Sequence, residues 1–366
     1  MARLDEYRRS GVDYEVLDEV KREAIALASA TAGLLAPAGA EVGDSRGSSA
    51  YVFEVNGTTL ALVVEGLGTK SIIASDYLDA TGVNRFADIA RDAVAAIVND
   101  VISVGANALV VTAYFATSDA SWYGNRERSV DLLNGWRAAC EEAGAVWGGG
   151  ESPALPGILT PGAIELAGSA VGLVPAGRRP VFGNDIAPGD KILLLPSTGL
   201  HANGASLARR VTSQLPHGLL TKLPSGRQLG DALLDPTRIY APFVTELLAS
   251  PVVPKFLNGI TGHGFLKIMR ADAVVRYEVI ALPDVPEVLQ FLVSKSGMSS
   301  AEAYSTLNMG AGYVVIVSPD DLDEAVHVAR KTGHDAVVAG EVVEGQRALA
   351  IPSLGIEYRD DDFQLR

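Results

Sequence analysis

The chain has 366 residues, of which 48% are hydrophobic and 20% charged, and a net charge of −14. Its mean hydropathy is +0.20 and its isoelectric point lies near 4.8. These values exclude extensive disorder, a general nucleic-acid surface, which needs concentrated Lys and Arg, and an intramolecular disulfide, because Cys140 is the single cysteine.

The length predicts about two domains. No segment approaches about 20 uninterrupted apolar residues, and MARLDEYRRSGVDYE lacks the apolar core of a signal peptide. A cytoplasmic protein without membrane contact is therefore expected. Cys140 falls in a helical pattern and reads as a packed thiol instead of a nucleophile.

In chain order, Val12 to about Leu35 reads as a helix, and APAGAEVGDSRGSSA as a loop without period. YVFEVNGTTLALVVEG is a hairpin signal centred on Asn56-Gly57. A long helix fits Phe86 to Gly105, followed by a strand (NALVVTAYFAT), a helix (RSVDLLNGWRAACEEAG) and two more strands (AVWGGGES and AIELAGSAVGLVP). This alternation predicts an α/β or α+β layer structure. Turn-rich AGRRPVFGNDIAPGDK predicts a domain boundary between Pro175 and Asp190, giving domains 1–175 and 176–366. The second half reads as a strand (KILLLPS), a helix (GASLARRVTSQL), helical DPTRIYAPFVTELLAS, a glycine loop (NGITGHGF), a strand (GYVVIVS) and a closing hairpin (VVAGEVVEGQRALAIPS). The acidic end RDDDFQLR reads as frayed.

Six places combine glycine or helix geometry with ionisable groups. In Glu65-Gly66-Leu67-Gly68-Thr69-Lys70 the glycines would let a phosphate approach backbone amides, Lys70 could neutralise it and Glu65 could hold a hard cation. An ordinary turn is the other reading. Asp92, Asn99 and Asp100 fall on one face of the long helix, where two acids and an amide are costly without partners and could together reach an ion or polyphosphate. Gly148-Gly149-Gly150-Glu151 ends a strand. His201, in Thr198-Gly-Leu-His-Ala-Asn203-Gly204, reads as a proton carrier or oxyanion donor, or as a surface cap of the next helix. Asp235-Pro-Thr-Arg238 and Thr261-Gly262-His263-Gly264 complete the set. HExxH, Cys/His zinc spacing and GxSxG are all missing, which removes the main support for zinc and serine hydrolases.

Taken in order, these motifs resemble the aminoimidazole ribonucleotide synthetase, or phosphoribosylformylglycinamidine cyclo-ligase, family along nearly the whole chain. Tyr7-Arg-Arg-Ser-Gly11-Val-Asp13 is similar to its Tyr-x-x-x-Gly-Val-Asp, and Glu65 to Lys70 to its Asp-Gly-Val-Gly-Thr-Lys. Asp92 with Val98-Asn99-Asp100, Gly149 to Gly157, Thr198 to Gly204, Pro236 to Tyr240, Thr261 to Phe265 and Leu307 to Gly312 follow the family's later motifs.

The resemblance implies an α+β, PurM-like two-domain fold, with an N-terminal sheet domain that dimerises and a C-terminal α/β domain. It implies ATP-dependent closure of formylglycinamidine ribonucleotide to aminoimidazole ribonucleotide through an iminophosphate, with ATP and magnesium (Mg2+) as cofactors and a homodimer as the assembly. By the same resemblance, Glu65, Asp92 and Asp100 are the expected metal ligands, and His201, Lys70 and Asp92 the catalytic set. Nucleotide contacts are expected from Glu65, Gly66, Gly68, Thr69, Lys70, Asn99, Asp100, Gly149, Gly150 and Glu151, and substrate contacts from Asn203, Gly204, Thr261, Gly262 and His263. Glu65 replaces the usual Asp, His263 replaces a glycine, and Ala154 replaces a Glu. Related ATP users are a thiamine monophosphate kinase, a selenophosphate synthetase and a hydrogenase-maturation dehydratase. The selenophosphate synthetase usually carries Cys or selenocysteine with Lys in its N-terminal loop and the dehydratase ends in a reactive Cys, and this chain has neither. A non-catalytic nucleotide-binding subunit is the remaining alternative.

Overall fold

A computed structural model of the chain describes residues 14–363. The Tyr7 to Asp13 motif, the first residues of the expected opening helix and the last three residues of the acidic tail lie outside them.

Helix α1 (Tyr14–Ser29) ends earlier than its pattern suggested, and Ala32–Leu35 tightens into a 3-10 turn. Strands β1 (Gly39–Glu41), β2 (Tyr51–Val55) and β3 (Thr58–Gly66) follow. The β2–β3 turn has positive φ at both Asn56 (50°) and Gly57 (77°), the backbone that a tight two-residue hairpin requires. Next come α2 (Lys70–Thr81), α3 (Phe86–Ile102), β4 (Asn107–Thr117), α4 (Arg126–Ala143), β5 (Val146–Glu151) and β6 (Ile164–Leu173). The six strands form one sheet in the order β1-β2-β3-β6-β4-β5, antiparallel except for the β4–β5 pair. Burial alternates strictly along β6, so one sheet face is core.

That face is covered by α3, whose Ile89, Val94, Val98, Val101 and Ile102 are wholly buried. Each such side chain contributes roughly 1.5–3 kcal/mol by leaving water. The helix also touches elements of the second half, so it is buried on both sides and links the two sheets.

The second sheet comprises β7 (Lys191–Pro196), β8 (Phe256–Gly259), β9 (Arg276–Val279), β10 (Ala311–Val317), β11 (Val337–Val343), β12 (Ala348–Ile351) and β13 (Ile356–Arg359). Its order is β13-β12-β9-β11-β7-β10-β8. All seven residues of β10 are buried. Around it lie α5 (Ala205–Ser213), α6 (Leu229–Leu233), α7 (Ala241–Ala249), α8 (Glu287–Ser296), α9 (Ser300–Tyr304) and α10 (Leu322–Lys331).

Three expectations are corrected. The closing hairpin does not form: β9 lies between β11 and β12, pairing antiparallel with the first and parallel with the second. The helix expected from Asp235 begins only at Ala241. Pro236 supplies no N–H, and side chains of the first half bind the backbone of the 235–240 segment instead. The acidic tail is not frayed at Phe363, which is 4% exposed and packs edge-on against His263 at 5.5 Å.

Candidate active site

The Glu65-to-Lys70 turn joins β3 to α2 at the seam between the sheets. Lys70 turns inward, its ammonium 2.7 Å from Asp92 with both side chains fully buried, and it donates to the Asp235 carbonyl at 3.1 Å. The other Asp92 oxygen accepts from the Thr237 amide at 2.8 Å. About two turns further along α3, the Asn99 amide donates to the Arg238 carbonyl and accepts from the Tyr240 amide, both at 2.9 Å. Lys70, Asp92 and Asn99 therefore clasp the extended 235–240 segment to the first domain.

Asp92 and Asp100 are eight residues apart on one helix, about 12 Å along its axis, too far to share an ion. The expected trio of metal ligands does not assemble. Among the described residues no group of three or more His, Cys, Asp or Glu gathers to hold a metal. Glu65 and Asp100 do meet, and their carboxyl groups share a hydrogen bond. Burial, reinforced by the Asp100 charge, pushes Glu65 up to about 8. Two carboxyls so placed need either a proton or a cation between them. Magnesium takes one or two protein carboxylates and completes its shell with phosphate and water oxygens, so this pair fits it.

The turn's amides are partly engaged already. Gly68 donates to Glu165 on β6 at 3.1 Å, and Leu67 donates to the Leu166 carbonyl at 2.8 Å. Thr69 reaches across the seam to the Ser206 hydroxyl at 3.0 Å.

His201 is buried, in a left-handed conformation (φ 60°), and its Nε2 accepts from the Thr198 amide at 3.1 Å. That bond puts the ring proton on Nδ1. Burial, with the Lys70 and Arg238 charges, holds His201 down at about 3, so it is neutral. The ring lies against Gly312, where an added Cβ would fall 2.8 Å from its Cε1 and 1.9 Å from the Tyr240 hydroxyl. Beside it, Asn203 donates to the Thr306 carbonyl at 2.9 Å, and Gly204 caps α5.

Thr261, Gly262 and His263 form the turn after β8. His263, left-handed at φ 69°, meets Asp18 of α1 at 3.1 Å. The 3-10 segment that follows, Gly264–Arg270, returns to the first domain: Arg270 donates to the Gly47 carbonyl at 2.9 Å and to the Ser49 hydroxyl at 2.8 Å. Gly47 and Ser49, with Ile25 of α1, Val64 and Glu65, line a cleft of about 380 Å³. Gly149, Gly150 and Glu151 stand apart from it. They lie on edge strand β5, three strands from β3 or about 14 Å away, and Gly150 permits a close approach to the Ala113 carbonyl.

Sequence reasoning missed Glu165, Arg270 and Lys267. No motif marks them, and only the crossing of chain segments brings them to the turn. Lys267 is 8% exposed, and burial, with the Arg270 charge, pulls it down to about 7.

Two sheet domains joined through a buried helix, with polar groups gathered at their seam, constitute a PurM-like two-domain α+β fold. Residues 47–174 match the N-terminal domain, and residues 187–351 the C-terminal domain, of AIR synthase related protein. The chain belongs to this family. It is similar to the phosphoribosylformylglycinamidine cyclo-ligase of Methanothermobacter thermautotrophicus, with 32% identity over 81% of this chain and 84% of that protein. The Sorangium cellulosum protein of the same name is 36% identical over 92% of this chain and 95% of its own. A crystal structure of the hydrogenase maturation protein HypE shares the fold, with a TM-score of 0.61 at 18% identity, covering 82% of this chain and 87% of that one.

Proposed function

We propose that this chain is an ATP-dependent phosphoribosylformylglycinamidine cyclo-ligase, which closes formylglycinamidine ribonucleotide to 5-aminoimidazole ribonucleotide in de novo purine biosynthesis. The observation that carries this reading is the likeness to relatives of that name, 30% to 38% identical over 77% to 92% of this chain. In this reaction the terminal phosphoryl group of ATP passes to the formamide oxygen and ADP leaves. The amidine nitrogen then attacks the formyl carbon, loses a proton, and phosphate departs with the formyl oxygen. Such chemistry asks for orientation and charge neutralisation. It needs no thiol, in keeping with Cys140, which is buried and pushed up to about 11.

In this reading the nucleotide enters the cleft lined by Gly47, Ser49 and Glu65. Glu65 and Asp100 are the residues that would hold magnesium, which would supply positive charge to the phosphates. Lys70, Asp92 and Asn99 fix the second domain across the seam. His201, whose Nε2 already accepts from the Thr198 amide, orients the Thr198 to Gly204 turn, and only its Nδ1 proton is left to donate. Thr261, Gly262 and His263 form the substrate side.

The same reading includes a homodimer through the outer face of the first sheet. Supporting it, that face leaves apolar side chains in water, with Val64 73% and Val146 65% exposed and Leu62 and Tyr114 beside them. Among the described residues no helix is long and apolar enough to cross a membrane, and a cytoplasmic site of action goes with the proposal. Incubation with ATP, magnesium and formylglycinamidine ribonucleotide tests the activity. Equal amounts of ADP and aminoimidazole ribonucleotide are expected. ADP without the imidazole would overturn the reading in favour of a phosphotransferase with another acceptor.

A further inference from the structure

Lys267 belongs to none of the recognisable motifs, yet it is the most unusual cation at the seam. It lies in the Gly264–Arg270 segment and is more than nine-tenths buried. Among the described residues its ammonium makes no ion pair or hydrogen bond. Other inward lysines are answered at once: Lys70 has Asp92, and Lys255 has Asp190, each at 2.7 Å.

The surroundings point to what is missing. Both ends of the segment are tied to the walls of the cleft, His263 to Asp18 of α1 and Arg270 to Gly47 and Ser49. Glu65 and Asp100 are near enough for their charges to act on Lys267, and neither forms an ion pair with it. Asp100 reaches to within 4.0 Å of where a Cβ on Gly259 would stand, at the end of the strand leading into the segment. A side chain 8% exposed that carries its ammonium to the seam without a counter-charge is unfavourable, and so are two carboxyls pressed together without a cation. A phosphoryl group carrying a divalent cation satisfies both sides at once. The carboxylates would hold its metal, and a remaining oxygen would accept a charge-assisted hydrogen bond from the lysine.

Resting on the reading of this cleft as a nucleotide site, we propose that Lys267 donates to the terminal phosphoryl group of ATP, held between its ammonium and the Glu65–Asp100 pair. The lysine then stays with that group as it moves to the formamide oxygen and leaves as phosphate. It discriminates ATP from ADP, because ADP has no terminal phosphoryl group to accept the lysine's hydrogen bond.

Calorimetric titration of the full chain, native and Lys267→Met, tests this with magnesium present and three separate probes: adenylyl imidodiphosphate, ADP and ribose 5-phosphate. The native chain should prefer the triphosphate analogue to ADP. The variant should lose roughly tenfold to a hundredfold in affinity for the analogue, with ADP binding unchanged. Without ligand it should melt at a higher temperature than the native chain, because a charge without a partner on a mostly buried side chain has gone. A variant that keeps the native preference overturns the proposal. So does a loss confined to ribose 5-phosphate, which would assign the lysine to the substrate's phosphate. An equal loss on all probes with a lower melting temperature overturns it in favour of a structural role. A native chain that binds neither nucleotide overturns the nucleotide reading itself, and the lysine's role with it.

Discussion

Lys70 and Asp92 face each other at 2.7 Å with neither side chain exposed to water. Removing one member of a buried pair strands the other, at a cost of about 3–5 kcal/mol. Asp92→Ala also frees the Thr237 amide and loosens the clasp on the 235–240 segment. Urea unfolding should show a loss of that order, whereas a change below about 1 kcal/mol would mean that the pair contributes little to joining the domains.

The His201 ring supplies a pH dependence. Its folded value of about 3 lies below the ordinary 6.5, because burial and then the Lys70 and Arg238 charges oppose protonation. Between those values the unfolded chain takes up a proton that the native chain does not. The stability that neutral His201 provides is therefore present above pH 6.5 and is lost as pH falls toward 3, by up to about 1.4 kcal/mol per unit. His334, held at about 4 chiefly by burial, acts in the same direction. His201→Gln keeps an acceptor for Thr198 and leaves the His334 contribution intact. Between pH 6.5 and 5 the variant should lose about 1.6 kcal/mol less than the native chain. Equal losses would contradict the neutral, buried ring.

Glu65 has a sharper test in turnover. If it and Asp100 hold magnesium, Glu65→Gln leaves one carboxylate, and the magnesium concentration for half-maximal ADP release should rise at least about tenfold. An unchanged magnesium dependence would remove Glu65 from the metal's ligands.

Val64 tests the assembly. Its side chain lies on the solvent face of the first sheet and is 73% exposed. Sedimentation at micromolar concentration should give a dimer for the native chain and a monomer for Val64→Asp. A native monomer would exclude this face as the interface.

Much of the fold was legible because hydrophobic period and turn chemistry are local. Asn56-Gly57 gave the β2–β3 hairpin, and the apolar runs from Asn107 and from Gly312 gave β4 and β10. The order of strands was not legible, since nothing in the β11 and β12 runs says that β9 will come between them. At the site, the period put Asp92, Asn99 and Asp100 on one helix, where Asp92 and Asn99 turn to the 235–240 segment and Asp100 to Glu65. A face is not a site, however. Asp92 spends its oxygens on Lys70 and Thr237 and Asn99 its amide on the backbone of 235–240, and only Asp100 reaches Glu65. Lys267 was invisible because its meaning depends on burial and on carboxylates far away in sequence.

The most direct measurement follows the formyl oxygen. Formylglycinamidine ribonucleotide labelled with oxygen-18 at that position, turned over with ATP and magnesium, should yield inorganic phosphate carrying one label for each aminoimidazole ribonucleotide formed. Unlabelled phosphate released with ADP, or labelled substrate left uncyclised while ATP is consumed, would contradict a cyclo-ligase acting through phosphorylation of the formamide.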